Sequence, residues 1–165
     1  MGSLTSPSND RLTRAQYVGL LGQCYHVAIH VPLNLRVAAD HVSESSLADW
    51  LREHAADEDG HHEWASLDLS DLSTTIAPPT AQTRNLLEHI RSLVASDRAY
   101  TVLGWVHVAA HVGAEMFPDD MLPLDVGQAT RFVRRQGRVD ERLVYDVQQA
   151  VASLTLEQQG DVHQQ

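Results

Sequence analysis

The chain contains no lysine, and all 12 of its basic residues are arginine. This excludes chemistry that needs a lysine amine, such as Schiff-base formation, pyridoxal phosphate attachment and the lysine of a phosphate-binding loop. Cys24 is the only cysteine, which excludes an intrachain disulfide, a four-thiolate zinc site, a cysteine-ligated iron–sulfur cluster and the paired-cysteine haem attachment motif. A metal site in this chain must therefore use nitrogen and oxygen ligands.

Clustered positive charge and long apolar runs are also scarce. The 165 residues carry a net charge of −10, and the basic residues are dispersed apart from Arg134, Arg135 and Arg138, so nucleic acid and anionic membranes are not expected as partners. The longest uncharged apolar run is too short to cross a bilayer, and the polar first ten residues lack the layout of a signal peptide. We therefore expect a cytoplasmic protein.

Length and periodicity predict one all-α domain. The chain is long enough to bury a core, and apolar residues recur every three or four positions through most of it. We predict a flexible tail over residues 1–10, a single helical domain over 11–158 and a second flexible tail over 159–165. Short connections between long helices favour an antiparallel helical bundle, and bundles of this size often form homodimers through a helix face.

The punctuation by proline, glycine and small polar residues divides the domain into helices. Pro32 is expected to kink or split the first helix, and Gly137 to break the last. A polar loop is predicted over residues 68–80. The predicted helices run from about Thr13 to His41, from Ser45 or Ser46 to about Leu67, from about Ala81 to Ala95, from about Asp97 to Phe117, and from about Val126 to Leu156.

The stretch "HAADEDGHHEW" at residues 54–64 is the first candidate site. On a helix His54, Glu58 and His61 share one face with the apolar residues before them, so these three side chains are expected to point inward. The neighbouring carboxylates are expected to face solvent; these are Asp57, Asp59 and Glu63. His62 lies beside the inward face and suits either a ligand or an interior hydrogen-bonding role.

Two further polar stripes lie in apolar segments. His107, His111 and Glu115 repeat every four residues in "GWVHVAAHVGAEMF", and a buried carboxylate such as Glu115 costs several kcal/mol unless it is paired, protonated or bound to a metal. His26 and His30 in "CYHVAIH" form the third stripe. Glu-x-x-His pairs on bundle helices build di-iron and di-manganese sites, whereas satisfied core histidines are the alternative interpretation of each stripe alone.

Together these residues make the chain resemble the haem-oxygenase-like di-iron oxidase and oxygenase superfamily, which is related in fold to thiaminase II and the coenzyme-PQQ-synthesis proteins. "DEDGHHEW" followed by Asp68-Leu69 is similar to the family's acidic-acidic-x-Gly-His segment, and Glu115 looks like its central glutamate. "FVRRQGRVDERLV" aligns with the family's final His-x-x-x-Asp-x-x-His motif. It keeps Asp140 but has Gln136 and Leu143 at the two histidine positions. The glutamate that many members contribute from the first helix is also missing.

The resemblance implies a haem-oxygenase-like bundle of about five to seven helices. It also implies a non-haem iron or manganese enzyme that activates dioxygen and oxidises a small organic substrate in specialised metabolism. One or two ions would be bound. The metal ligands it implies are Glu58, His61, Glu115 and Asp140, with His54 as a further candidate. The residues expected to form the substrate pocket are Tyr25, His26, His30 and Trp105.

The missing histidines keep two other hypotheses open. In the first, the protein is metal-free and acts as a cyclase, an isomerase or a small-molecule-binding protein, with His107, His111 and Glu115 as an acid–base group. In the second, His26 or His30 binds a haem or another tetrapyrrole, although the chain has no obvious arginine cluster for haem propionates.

Overall fold

The computed structural model describes the backbone of residues 11–115 and 121–164, and the side chains of these residues except 113–115 and 137–142. Within these ranges the chain forms seven α-helices and one 3₁₀ helix, and no strand. The prediction of an all-α bundle with five to seven helices is confirmed. No helix in the described ranges has the length and apolar character needed to cross a bilayer. The elements are α1 (Arg14–His41), α2 (Ser45–Asp57), α3 (His61–Asp71), α4 (Ala81–Val94), a 3₁₀ helix (Ala99–Thr101), α5 (Val102–Glu115), α6 (Arg131–Ala152) and α7 (Leu156–Val162).

The first helix, α1, forms the centre of the bundle and contacts α2, α3 and α4. It begins with a capping box, in which the hydroxyl of Thr13 accepts a hydrogen bond from the backbone N–H of Gln16 and the Gln16 side chain accepts one from the N–H of Thr13. Both ends agree with the prediction. Pro32 is buried inside the helix and does not divide it.

The predicted second helix is two helices, and the prediction of one continuous helix is wrong. Gly60 adopts a φ of +82°, in the left-handed region that residues with a Cβ rarely enter. This turn ends α2 at Asp57 and starts α3 at His61. Helix α3 then runs to Asp71, so the predicted loop over 68–80 begins four residues too early.

Helices α4 to α6 follow the prediction in order, but α5 starts at Val102 instead of about Asp97, and the last predicted helix, from about Val126 to Leu156, is replaced by α6 and a separate α7. The start of α4 is as predicted, with the Thr80 hydroxyl accepting a hydrogen bond from the Thr83 N–H. The predicted end of the fourth helix at Phe117 lies outside the described residues. Helix α6 is continuous through Gly137, where a break was expected. The predicted tail over 159–165 is wrong over its first four residues, because α7 continues to Val162 and buries that side chain.

The core consists of two clusters of buried apolar residues that α1 spans. The first includes Leu35, Leu51 and Leu103, from α1, α2 and α5. The second includes Leu21 and Leu69, from α1 and α3, together with residues that precede and begin α6. The Gly60 turn therefore connects a helix of the first cluster to a helix of the second, and it places its flanking side chains where the clusters meet.

Candidate functional site

A groove of about 840 Å³ lies between α2 and the second half of α6, with the start of α3 at one end. Its volume is in the range of small-molecule sites. Helix α2 contributes Trp50, Glu53, His54 and Asp57 among others, and the Gly60 turn adds Glu58 and His61. The opposite wall is α6, which contributes Leu143, Asp146, Gln149, Ala150 and Ser153.

Glu58 and His61 form a buried pair in this groove. Each is 6% exposed, and the Gly60 turn brings the residue that follows α2 against the residue that opens α3. Nδ1 of His61 lies 2.9 Å from Oε2 of Glu58, yet this nitrogen has no aligned hydrogen-bond partner among the described residues. The histidine nitrogen and the carboxylate oxygen are thus close together without forming an aligned hydrogen bond.

The ring of His61 is held by a stack of side chains. The indole of Trp64 lies against it with 4.3 Å between ring centroids and 28° between planes. On α6, the guanidinium carbon of Arg135 lies 4.6 Å from the centroid of the Trp64 ring, a cation–π contact. The orientation of His61 is therefore fixed by packing between α3 and α6.

The spacing of the pair fits two ligands of one metal ion. Two atoms that each lie about 2.1 Å from an ion, at about a right angle, are about 3.0 Å apart, close to the observed 2.9 Å. Nitrogen and carboxylate oxygen donors suit iron or manganese. Among the described side chains, however, no group of three or more histidine, cysteine or acidic residues is arranged to hold a metal. The side chains of Glu115 and Asp140, on α5 and α6, lie outside the described residues.

His54 lies one helical turn before Glu58 and is 8% exposed. Burial lowers the pKa of its imidazole below the ordinary value of 6.5, and the negative charges of Glu58 and Asp57 oppose the shift. The ring stacks on Trp50 with centroids 5.3 Å apart. A neutral imidazole can accept a proton or bind a metal, so His54 adds a third functional side chain to the groove.

The burial of the opening stretch agrees with the prediction. His54, Glu58 and His61 are buried, whereas Asp57, Asp59 and Glu63 are exposed. The physical cause differs, because the predicted continuous helix does not exist and the Gly60 turn produces the juxtaposition. Asp59 points away and pairs with Arg36 of α1, whereas Asp57 is exposed and still lines the groove.

The predicted acid–base group on α5 does not meet the groove through its described side chains. His107 and His111 are half-buried, with ring centroids 4.4 Å apart, and neither lines the groove. Burial lowers the pKa of His107, helped by the nearby His111 and His163. The third member, Glu115, has its side chain outside the described residues. The expected apolar surroundings are also incomplete, since Val108 is 57% exposed.

None of the four predicted pocket residues lines the groove, although the rings of Tyr25 and His26 are in contact, with centroids 5.4 Å apart. Trp105 is half-buried against the first core cluster. Nε2 of His26 lies 2.7 Å from the carbonyl oxygen of Ala77, which ties α1 to the loop before α4. Burial lowers the pKa of His30, and the charge of Arg91 adds to the shift. These residues therefore do not line the groove, and the substrate pocket expected from them stays a prediction.

Tyr25, the fourth of these residues, lines a separate pocket of about 360 Å³ together with His62. The two rings meet edge to face, with centroids 5.8 Å apart. Nδ1 of His62 is buried and has no hydrogen-bond partner within the described ranges. His62 thus belongs to this smaller pocket rather than to the groove.

Several groove residues were missed by the sequence interpretation, above all Trp50, Glu53 and the wall formed by α6. A periodic signal was present, because Leu143, Asp146 and Ala150 recur every three or four positions and so share one face of a helix. Leu143 lines the groove at a position where the resemblance expects a metal-binding histidine. The α6 wall is therefore apolar at this position.

No family model, curated protein or solved structure matches the chain. The likeness to haem-oxygenase-like di-iron enzymes rests on the sequence motifs alone and stays a prediction.

Proposed function

We propose that the groove is the active site of an enzyme that acts on a small organic molecule with the help of one iron or manganese ion held by Glu58 and His61. The observation that carries this proposal is the 2.9 Å contact between two buried donor atoms that are not aligned as a hydrogen bond. Leaving a buried polar atom without a partner costs free energy, and a shared metal ion would remove that cost.

The side chains around the pair have distinct tasks in this proposal. Glu58 and His61 would hold the ion, and the stacked Trp64 keeps the His61 ring in place. When bound, iron would supply the dioxygen activation that the family resemblance implies. His54 is neutral near pH 7 because burial lowers its pKa, so it is suited to accept a proton from a substrate in the groove.

Iron binding by the purified protein tests the proposal. Protein from iron-supplemented cells should contain iron, and anaerobic addition of Fe(II) to metal-free protein should raise the melting temperature by roughly 5 to 10 °C at saturating concentration. Glu58→Gln should abolish the increase. Glu63→Gln is the matched control, since Glu63 is exposed and lies outside the groove. Protein without iron and without a melting shift would contradict the proposal.

A metal-free acid–base enzyme, such as a cyclase or isomerase, or a small-molecule-binding protein, is the second candidate. Leu143 favours it, because this side chain lines the groove where a third ligand would be expected. In that case Glu58 and His54 would exchange protons with the ligand directly. Chelator treatment would then leave both the melting temperature and ligand binding unchanged, whereas it would lower the melting temperature of the metal-dependent enzyme.

Cellular location and partners are also proposed from composition. A cytoplasmic location is proposed, and the net charge of −10 supports a protein that does not bind nucleic acid or anionic membranes. A homodimer that pairs through a helix face is proposed as well. Size-exclusion chromatography with light scattering tests the dimer: a mass near twice that of the 18.3 kDa chain supports it, and a monomeric mass contradicts it.

A further inference from the structure

The charge on the groove walls points to the class of molecule that binds there. Four carboxylates line the groove, namely those of Glu53, Asp57, Glu58 and Asp146, and no arginine is among the described lining residues. An anionic ligand would meet like charge along the α2 wall, whereas a cationic ligand would be attracted to that wall.

The exposed carboxylates of the groove, Glu53 and Asp57, form its rim and differ from other surface carboxylates in their ion pairs. Asp40 and Asp49 both pair with Arg52. Within the described ranges, neither Glu53 nor Asp57 forms an ion pair with an arginine. Among the described residues, no arginine therefore neutralises these two carboxylates.

Two features besides the carboxylates indicate a binding site. Trp50 lines the groove one turn before Glu53, and an indole ring attracts organic cations through its π face. His61 is 6% exposed, lines the same groove and has a nitrogen without an aligned hydrogen bond. The groove thus has the Trp50 ring on its wall, a buried His61 nitrogen without a hydrogen-bond partner, and the carboxylates of Glu53 and Asp57 at its rim.

We infer that the groove binds a small organic cation, such as a primary amine, with its charged nitrogen facing Glu53 and Asp57 and its apolar part against Trp50 and Leu143. This inference deepens the proposed function, and it rests on that proposal for the location of the site but not for the metal. A neutral or anionic substrate of similar size would lose the attraction of the rim. The substrate class is therefore set by residues other than the proposed metal ligands.

Binding of matched fragments tests the inference. Several aromatic scaffolds are each prepared as amine, alcohol and carboxylate, for example 2-phenylethylamine, 2-phenylethanol and 3-phenylpropionate. Binding to the full chain is measured by ligand-observed NMR in EDTA, so that metal ions do not compete. Amines should bind at millimolar concentration and better than their alcohols and carboxylates, with weaker binding in high salt. Equal or stronger binding of the alcohols or carboxylates, or no binding by any amine, would overturn the inference.

Variants localise the effect. Glu53→Gln combined with Asp57→Asn should weaken amine binding roughly tenfold, and Glu53→Gln alone roughly threefold, which keeps the test decisive if the double variant does not fold. The control combines Asp40→Asn with Asp49→Asn, which changes the net charge equally outside the groove and should leave binding unchanged. Equal loss in both double variants would overturn the inference. Amine binding without any Fe(II) binding would refute the metal proposal alone, and the converse would refute this inference alone.

Discussion

At the scale of single residues, burial separates functional candidates from ordinary surface groups. Glu58 and His61 are charged or chargeable side chains that are almost completely buried, and they line a groove. Asp68 is also buried, but its oxygens accept hydrogen bonds from the Phe132 N–H and the Arg131 side chain. The difference lies in whether the polar atoms are satisfied. Among the described residues, the buried side-chain atoms without a hydrogen-bond partner are Nδ1 of His61 in the groove and Nδ1 of His62 in the smaller pocket.

Cys24 illustrates a residue whose chemistry is suppressed by its surroundings. Burial raises the pKa of its thiol to about 11, so the reactive thiolate is only about 0.1% of the population at pH 8. Alkylation by iodoacetamide at pH 8 should be roughly 100-fold slower in the folded protein than in urea. Equal rates in the two states would contradict the burial of this thiol.

At the scale of elements, the Gly60 turn contributes most to the site. The sequence predicted which side chains near this turn are buried, but it did not predict the turn itself. The i, i+4 and i+7 spacing correctly predicted that His54, Glu58 and His61 face the interior. It did not predict the break, because an isolated glycine inside a helical pattern is tolerated at a cost of only about 1 kcal/mol. Tertiary packing of α2 and α3 into different core clusters decided between the two.

The requirement for glycine at position 60 can be measured. Gly60→Ala should destabilise the protein by about 1 kcal/mol, because its φ of +82° is unfavourable for alanine although no atom lies within 4 Å of the added Cβ. Gly19→Ala is the matched control: it lies exposed within α1, has equal space, and should stabilise the helix by roughly 0.5–1 kcal/mol. Urea unfolding measures both, and a stabilising Gly60→Ala would contradict the turn.

The start of α6 depends on a buried carboxylate. Asp68 is 0% exposed and accepts hydrogen bonds from the Phe132 N–H at 2.9 Å and from Arg131 Nη1 at 3.0 Å. Asp68→Ala should cost about 2 kcal/mol, because the buried Phe132 N–H loses its acceptor, whereas Arg131 keeps its bond to Asp71. Asp71→Ala removes the exposed partner of the same arginine and should cost much less. Similar urea midpoints for the two variants would refute this assignment.

At the scale of the whole molecule, the all-α class could be predicted, whereas the placement of the polar stripes could not. Periodicity fixes which face of a helix is buried, and this was sufficient for the fold class, for the ends of α1 and α4 and for the start of α2. It does not fix which helices face each other. His107 and His111 on α5 therefore lie away from the groove, and the groove is closed by α6 residues that had not been considered.

Three partly or fully buried histidines give the molecule a pH-dependent stability. Burial lowers the pKa values of His30, His54 and His107 below the ordinary 6.5. These histidines consequently bind protons at a higher pH in the unfolded chain than in the folded chain. The free energy of unfolding is therefore highest above about pH 7 and falls as the pH decreases through 6.5. The urea midpoint of metal-free protein should decrease between about pH 7.5 and 5.5, and His107→Gln should reduce the decrease. A midpoint that rises or stays level would contradict this.

The central claim is that Glu58 and His61 hold one metal ion in the groove, and anaerobic calorimetric titration with Fe(II) tests it most directly. The wild-type chain should bind one equivalent with a saturable heat, Glu58→Gln should show no saturable heat, and Glu63→Gln should match the wild type. Absence of binding by the wild type, or equal binding by all three proteins, would contradict the account.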